Sequence, residues 1–371
     1  MENTVQTNNE VLFHVEKGIG HILLNRPKAL NALSLYMVDE IGKKLAEWEH
    51  NPSVSLVLIE GAGEKGLCAG GDMRSFYDKR DDNVEEYALQ FFSIEYKMNL
   101  ALHRYTKPVL AYMNGIVMGG GIGVSIFASD RVVTERSKLS MPEMNIGFFP
   151  DVGGSYFLNQ MPGQMGRYLA LTAHLFNGAD AIYLGAADYY IQSEQWTELK
   201  NDVQIEDWTQ VGNREQISAK LTEILTKYGT ANLPESPLAK VQDKVDRHFN
   251  HHSVADILAS LERSAAEGDE WAAETAKTLR EKSPISMAVA LEQLVRGKGM
   301  MAADCFRMEM NMSMHFMHSH DFYEGVRSVL VDKDRNPSWN PATIQEVKQE
   351  HVEVFFKNPW EGGQHPLADE S

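Results

Sequence analysis

A change of hydrophobic period part-way along the chain constrains its fold more than any other feature. Up to about residue 205, short apolar runs at 20–24, 54–59 and 109–113 each end near Gly, Asn or Pro, as strands do. Between them lie helical patterns. Leu33, Met37, Val38, Ile41, Leu45 and Trp48 recur every three or four residues, with Ser34 placed as an N-cap. A second stripe, Val84, Tyr87, Phe91, Ile94, Met98, Leu102 and Tyr105, predicts a helix over about 84–105. Strands alternating with helices require crossover connections, so this half reads as α/β. Beyond it the strand signal fades, and 216–227, 253–266, 285–296 and 301–319 have helical length and period. The stretch 231–237 breaks that series, Asn340 and Pro341 signal the start of a last helix, and the tail from residue 358 reads as loose.

The chain has 371 residues, 43% of them hydrophobic, so there is ample material for a core. Its net charge of −17 excludes a nucleic-acid groove, which needs a positive field to displace counterions. No apolar stretch is long enough for a bilayer-spanning helix, so no membrane partner is expected. Two cysteines, Cys68 and Cys305, make no disulfide scaffold for a chain of this size. The opening MENTVQTNNE has neither an apolar signal segment nor the Arg- and Ser-rich look of a transit peptide. A cytoplasmic location is therefore expected.

Several motifs fail informatively. The glycines from Gly61 to Gly66 have phosphate-loop spacing, but Leu67 and Cys68 stand where Lys and Ser/Thr belong. No G-x-S-x-G elbow occurs. His315, His318 and His320 lie in a Met-rich helical segment without a supporting carboxylate or thiolate set, so no metal is expected.

What remains is glycines and carboxylates. Two Gly-rich turns, CAGGD at 68–72 and MGGGIG at 118–123, each follow an expected strand, and the second runs into the apolar stretch 124–127, expected as a buried helix. Unpaired N–H groups from two such turns can form an oxyanion hole for a carbonyl oxygen; tight strand-to-helix packing explains the glycines equally well. Glu143 and Asp151 bracket the almost wholly apolar 144–150, and Glu95 falls on the apolar stripe of the second helix. Each acid alone also reads as a cap, a stripe-edge residue or an ion-pair partner. Two donor turns and three semi-buried acids together point to chemistry on a carbonyl.

The segments LNRPKALNAL at 24–33, CAGGD at 68–72, NGIVMGGG at 114–121 and MPEMNIG at 141–147 resemble the crotonase (enoyl-CoA hydratase/isomerase) superfamily in order and spacing. The later pieces FPDVGG at 149–154, HDFYEGVR at 320–327, DKD at 332–334 and PSW at 337–339 resemble its thioester hydrolases and extend the likeness to almost the full chain. This implies a crotonase-like ββα spiral core over 10–205, a helical C-terminal region over 206–357 packed on it, and a tail at 358–371. It further implies an acyl-CoA substrate, no cofactor beyond the CoA that the substrate carries, an oxyanion hole from the N–H groups of Gly71 and Gly120, Glu143 as the central catalytic carboxylate and Asp151 as its partner. Glu95 matches a substrate-pocket residue of the hydrolases. Arg74, and more weakly Arg26 and Lys28, match cations that touch CoA phosphates. Hydratases carry a second catalytic Glu two residues after the glycine triplet, where this chain has Gly123. Thioester hydrolysis therefore fits better than hydration. A hydratase or isomerase of the same fold and a non-catalytic acyl-CoA-binding protein stay open. So does self-association, because relatives often form trimers or hexamers while the helical extension here is an alternative cover for the site.

Overall fold

The computed structural model describes residues 9–230, 233–360 and 362–370; the first residues of the N-terminus, Ala231 and Asn232 of the expected break, and Glu361 and Ser371 of the expected tail lie outside them. Ten strands form two sheets. The larger holds β1 (Val11–Glu16), β2 (Ile19–Leu24), β3 (Leu56–Gly61), β5 (Val109–Tyr112), β7 (Asp130–Thr134) and β10 (Tyr189–Ile191), in that spatial order. Only its β1–β2 pair is antiparallel. The smaller sheet holds β4 (Gly66–Cys68), β6 (Ile116–Met118), β8 (Lys138–Ser140) and β9 (Phe176–Asn177). From β3 to β8 successive strands alternate between the two sheets, so the chain winds through both in a ββα spiral.

Both faces of the larger sheet are covered, which explains why its strands read as continuous apolar runs. Val57 and Ile59 face the main core, while the alternate residues Leu56 and Leu58 meet Leu110, Val132 and the helix Arg214–Tyr228 on the other face. The helices of the first half fall where the period places them. Helix α1 (Leu35–His50) starts at Ser34, whose Oγ accepts from Met37 N, and the short α2 (Met73–Asp78) precedes α3 (Val84–His103). Two one-turn helices follow, α4 (Gly120–Gly123) and α5 (Gly154–Phe157). The glycines themselves make α4, and the apolar stretch 124–127, expected as a helix, is a turn.

After Ile191 every described element is helical. The predicted 301–319 is divided: α6 (Ala302–Phe316) ends and α7 (His320–Val326) begins after a short turn. These helices enter the main core, with Phe316 against Phe148 and Phe149 and Phe322 against Phe148 at ring separations of 5.0–5.4 Å. Gly325 of α7 is needed for that approach, since a Cβ there would lie 2.2 Å from the Ile146 backbone.

Two expectations at the end of the chain are corrected. Asn340–Pro341 is a cis peptide and opens no helix; Asn340 N instead donates to Asp321 Oδ1 at 2.7 Å. The tail is packed rather than loose. Leu367 is fully buried, and Arg307 donates to its carbonyl and to that of Glu370. One apolar side chain among polar neighbours was too weak a signal to separate an anchored tail from a free one.

Candidate active site

A cavity of about 420 Å³ opens where the two Gly-rich turns meet the acids, and Gly71, Arg74, Glu95, Gly120, Glu143 and Asp151 all line it. Each is placed by a different element. Gly71 lies between β4 and α2, Gly120 starts α4 after β6, and Glu143 begins a single 3-10 turn, Glu143–Ile146, after β8. Asp151 sits on the loop before α5, and Glu95 lies on the buried side of α3.

The two turns are in contact. A Cβ built on Gly120 would lie 3.2 Å from Gly71 N, and one on Gly70 would lie 3.7 Å from Gly120 N. Among the described residues neither the Gly71 nor the Gly120 N–H has a hydrogen-bond acceptor. Gly119 takes φ 48° and ψ −118°, and a Cβ there would lie 2.5 Å from Glu143 Oε1. Glycine at 119 therefore admits the Glu143 carboxylate against the backbone. The result is a pair of N–H groups beside an acid, an arrangement that can bind a carbonyl and bring a base or nucleophile to it.

The three acids are 2%, 7% and 6% exposed at Glu95, Glu143 and Asp151, and no cation neutralises them. Glu95 Oε1 and Glu143 Oε2 have no hydrogen-bond partner in the protein. Burial, followed by the nearby Asp151, holds both carboxyl groups well above the ordinary glutamate range. Asp151 is pushed up to about 7 by burial, against the hydrogen bond donated by Tyr96 Oη at 2.9 Å, which holds it down. Acids this close cannot all be charged near neutral pH, so the cluster holds protons available for transfer.

The three cations expected to hold CoA separate. Arg74 lines the cavity, paired loosely with Asp78 at 3.6 Å. Arg26 is committed elsewhere: it donates to Ala32 O at 2.6 Å and pairs with Asp72 at 3.2 Å, bracing the first turn. Lys28 is exposed and away from the cavity lining. A cation missing from the expected set is Lys333, which lines the cavity with Val329 and Leu330. Arg327 pairs with Asp332 at 2.7 Å and Asp334 at 2.6 Å, the neighbours on either side of Lys333. Lys333 itself has φ 60° and, among the described residues, no carboxylate within ion-pair distance. The DKD motif contained that signal, but the alternation of charges hid which group was left over. The C-terminal region thus covers the site of its own chain.

The histidines of the segment 315–320 take separate partners. His315 Nε2 meets Lys357 O, His318 faces Glu85 at 3.5 Å, and His320 Nε2 meets Ser338 O.

Residues 19–356 match the family model described as enoyl-CoA hydratase/isomerase. The chain belongs to the enoyl-CoA hydratase/isomerase family. Within the family it is 37% identical over 358 residues to the mitochondrial 3-hydroxyisobutyryl-CoA hydrolase of Bos taurus, covering 96% of this chain and 91% of that one. It is also 37% identical to the small ribosomal subunit protein mS47 of Neurospora crassa, over 94% of this chain and 72% of the relative. Among solved structures, a carnitinyl-CoA dehydratase from Mycobacterium thermoresistibile superposes with a TM-score of 0.86 at 39% identity, covering 95% of this chain and 97% of that one. The α/β spiral with a helical C-terminal region is therefore a fold this family member shares with a solved relative. The relatives correct one expectation. The Bos taurus protein, matched over nearly all of both chains, is named as mitochondrial, so the cytoplasmic location does not stand. The expectation rested on the composition of the ten opening residues, which is too weak a signal to assign a compartment.

Proposed function

We propose that this chain is an acyl-CoA thioester hydrolase that converts 3-hydroxyisobutyryl-CoA to 3-hydroxyisobutyrate and CoA, a reaction of valine catabolism. The observation that carries this reading is the set of three buried acids facing two unpaired N–H groups, in a chain aligned nearly end to end with proteins named for that reaction. Gly123 argues against hydration. A Cβ there would lie 2.8 Å from Val152 Cβ and 3.1 Å from Asn99 Nδ2, so the position has no room for the second acid of a hydratase. The likeness to a ribosomal subunit protein raises a purely structural role. Such a role gives no reason to bury three carboxyl groups without a cation, each at a desolvation cost.

In the proposed reaction the thioester oxygen lies between the Gly71 and Gly120 N–H groups, each contributing about 3 kcal/mol as charge develops on it. Glu143 deprotonates a water that attacks the carbonyl carbon, or attacks it directly to give an anhydride that water then opens. On the water route the C–S bond breaks and the CoA sulfur takes the proton that Glu143 drew from the water. On the anhydride route the CoA thiolate leaves as the anhydride forms and takes a proton from the water that opens it, which restores the Glu143 carboxylate. Asp151 orients the water or the substrate hydroxyl, and Glu95, whose burial disfavours its charged form, lines the same cavity. No cofactor enters. Arg74 and Lys333 hold the CoA phosphates at the cavity mouth.

The test is release of free CoA from 3-hydroxyisobutyryl-CoA beside its 3-hydroxypropionyl and enoyl analogues. Hydrolysis of the 3-hydroxy esters without loss of enoyl absorbance is expected; hydration of the enoyl ester alone overturns the reading. Lys333→Ala is expected to raise KM about tenfold with little change in kcat, because a phosphate contact remote from the thioester contributes uniform binding. The increase should shrink at high salt.

A further inference from the structure

Helix α6 lies behind the acid cluster, remote from the glycine turns, and presents two polar side chains to it. Ser313 and Glu309 are four residues apart and share one face of the helix. Both are fully buried. The Tyr96 phenol donates its only hydrogen to Asp151 Oδ2 at 2.9 Å, so the Ser313 hydroxyl, 2.8 Å from the Tyr96 oxygen, is the donor in that second bond. The result is a directed chain, Ser313 to Tyr96 to Asp151. The Glu309 carboxylate oxygens each accept one backbone N–H, from Gly153 and Ser155, both at 2.8 Å. These N–H groups lie just beyond Asp151 on the same loop, and Gly154 N donates back to Asp151 O at 2.8 Å.

We propose that Tyr96 and Ser313 are positioning residues that orient the Asp151 carboxylate and set its acidity, while Glu309 fixes the loop that carries it. The proposal rests on reading the cavity as the catalytic site. The groups that act on Asp151 are Tyr96 and Glu95 from α3, Glu143 from the 3-10 turn, and Glu309 with Ser313 from α6. All the titratable members are acids, so the hydrogen bond from Tyr96, with a smaller contribution from the Asp151 backbone, favours a charged Asp151 there. Donors in series strengthen one another, so Ser313 acts through Tyr96. Ordinary satisfaction of a buried phenol would produce the same distances but would leave no trace in the titration of the cluster.

The experiment has two readouts on the full chain. One is the pH dependence of kcat/KM for thioester hydrolysis; the other is the infrared band of protonated carboxyl groups, followed against pH without substrate. In Tyr96→Phe the first ionisation of the cluster, and the acid limb with it, is expected to move up by about one pH unit, with KM little changed. In Ser313→Ala the shift has the same sign and is smaller. Should Tyr96→Phe fail to fold, Ser313→Ala alone carries the test. A hydrolase whose limb and carboxyl band stay where they were in the folded variants overturns the positioning role. A carboxyl band that shifts in a protein without thioesterase activity upholds the role of Tyr96 and removes the proposed reaction instead.

Discussion

Replacing Glu143 with Gln is expected to lower thioester turnover by about 10³-fold while leaving the fold intact. The amide has the shape of the acid but neither its basicity nor its nucleophilicity. Because Glu143 is buried with an unpartnered Oε2 and burial disfavours its charged form, a neutral amide removes a desolvation cost and adds no charge to the site. Unchanged or slightly raised thermal stability should therefore accompany the loss of activity. A variant that kept most of its CoA-releasing activity would remove Glu143 from the chemistry. Single turnover in labelled water tests the covalent route: label appearing in Glu143 indicates the anhydride, since a base acting on water places all of the label in the product.

Gly120→Ala is expected to cost about 10²-fold in kcat, because its methyl keeps the thioester oxygen off the oxyanion donors although the Gly120 N–H itself remains. The new methyl would project 3.2 Å from Gly71 N and 2.9 Å from Glu95 Oε1, into the space the thioester oxygen needs. Gly71→Ala is the informative control. Its methyl would meet Phe91 at 3.5 Å and Met73 at 3.6 Å, ordinary van der Waals contacts. If the N–H groups rather than the empty space matter at Gly71, activity there should fall far less. Equal losses at both positions would indicate that the glycines serve only packing.

The residues that the sequence marked for chemistry are those a strong local pattern isolates. Glu143 stands out because 144–150 is apolar around it, and the glycine turns because each closes a strand. The same patterning made α1 and α3 legible, since both bury one continuous stripe. What was missed depends on partners distant in the chain. Tyr96 falls outside the stripe that the helical period picks out, and only the fold brings Ser313, 217 residues away, to its hydroxyl. Arg26 looked available for an anion because nothing nearby in the sequence shows Asp72, 46 residues on, occupying it. Lys333 was missed for the converse reason: it stands between Asp332 and Asp334 in the sequence, and only in space do these two belong to Arg327.

The division of the cavity walls between the two halves of the chain sets an order on biosynthesis. Every group assigned to bond making has left the ribosome once Asp151 has emerged, whereas Ser313, Leu330 and Lys333 follow at least 162 residues later. Until they arrive the wall formed by Val329, Leu330 and Lys333 is missing and the acids lack part of the cover that desolvates them. Completion of the last helices therefore closes the site around acids already in place. A chain stopped before α6 would retain the apparent catalytic residues and lack the environment that makes them work.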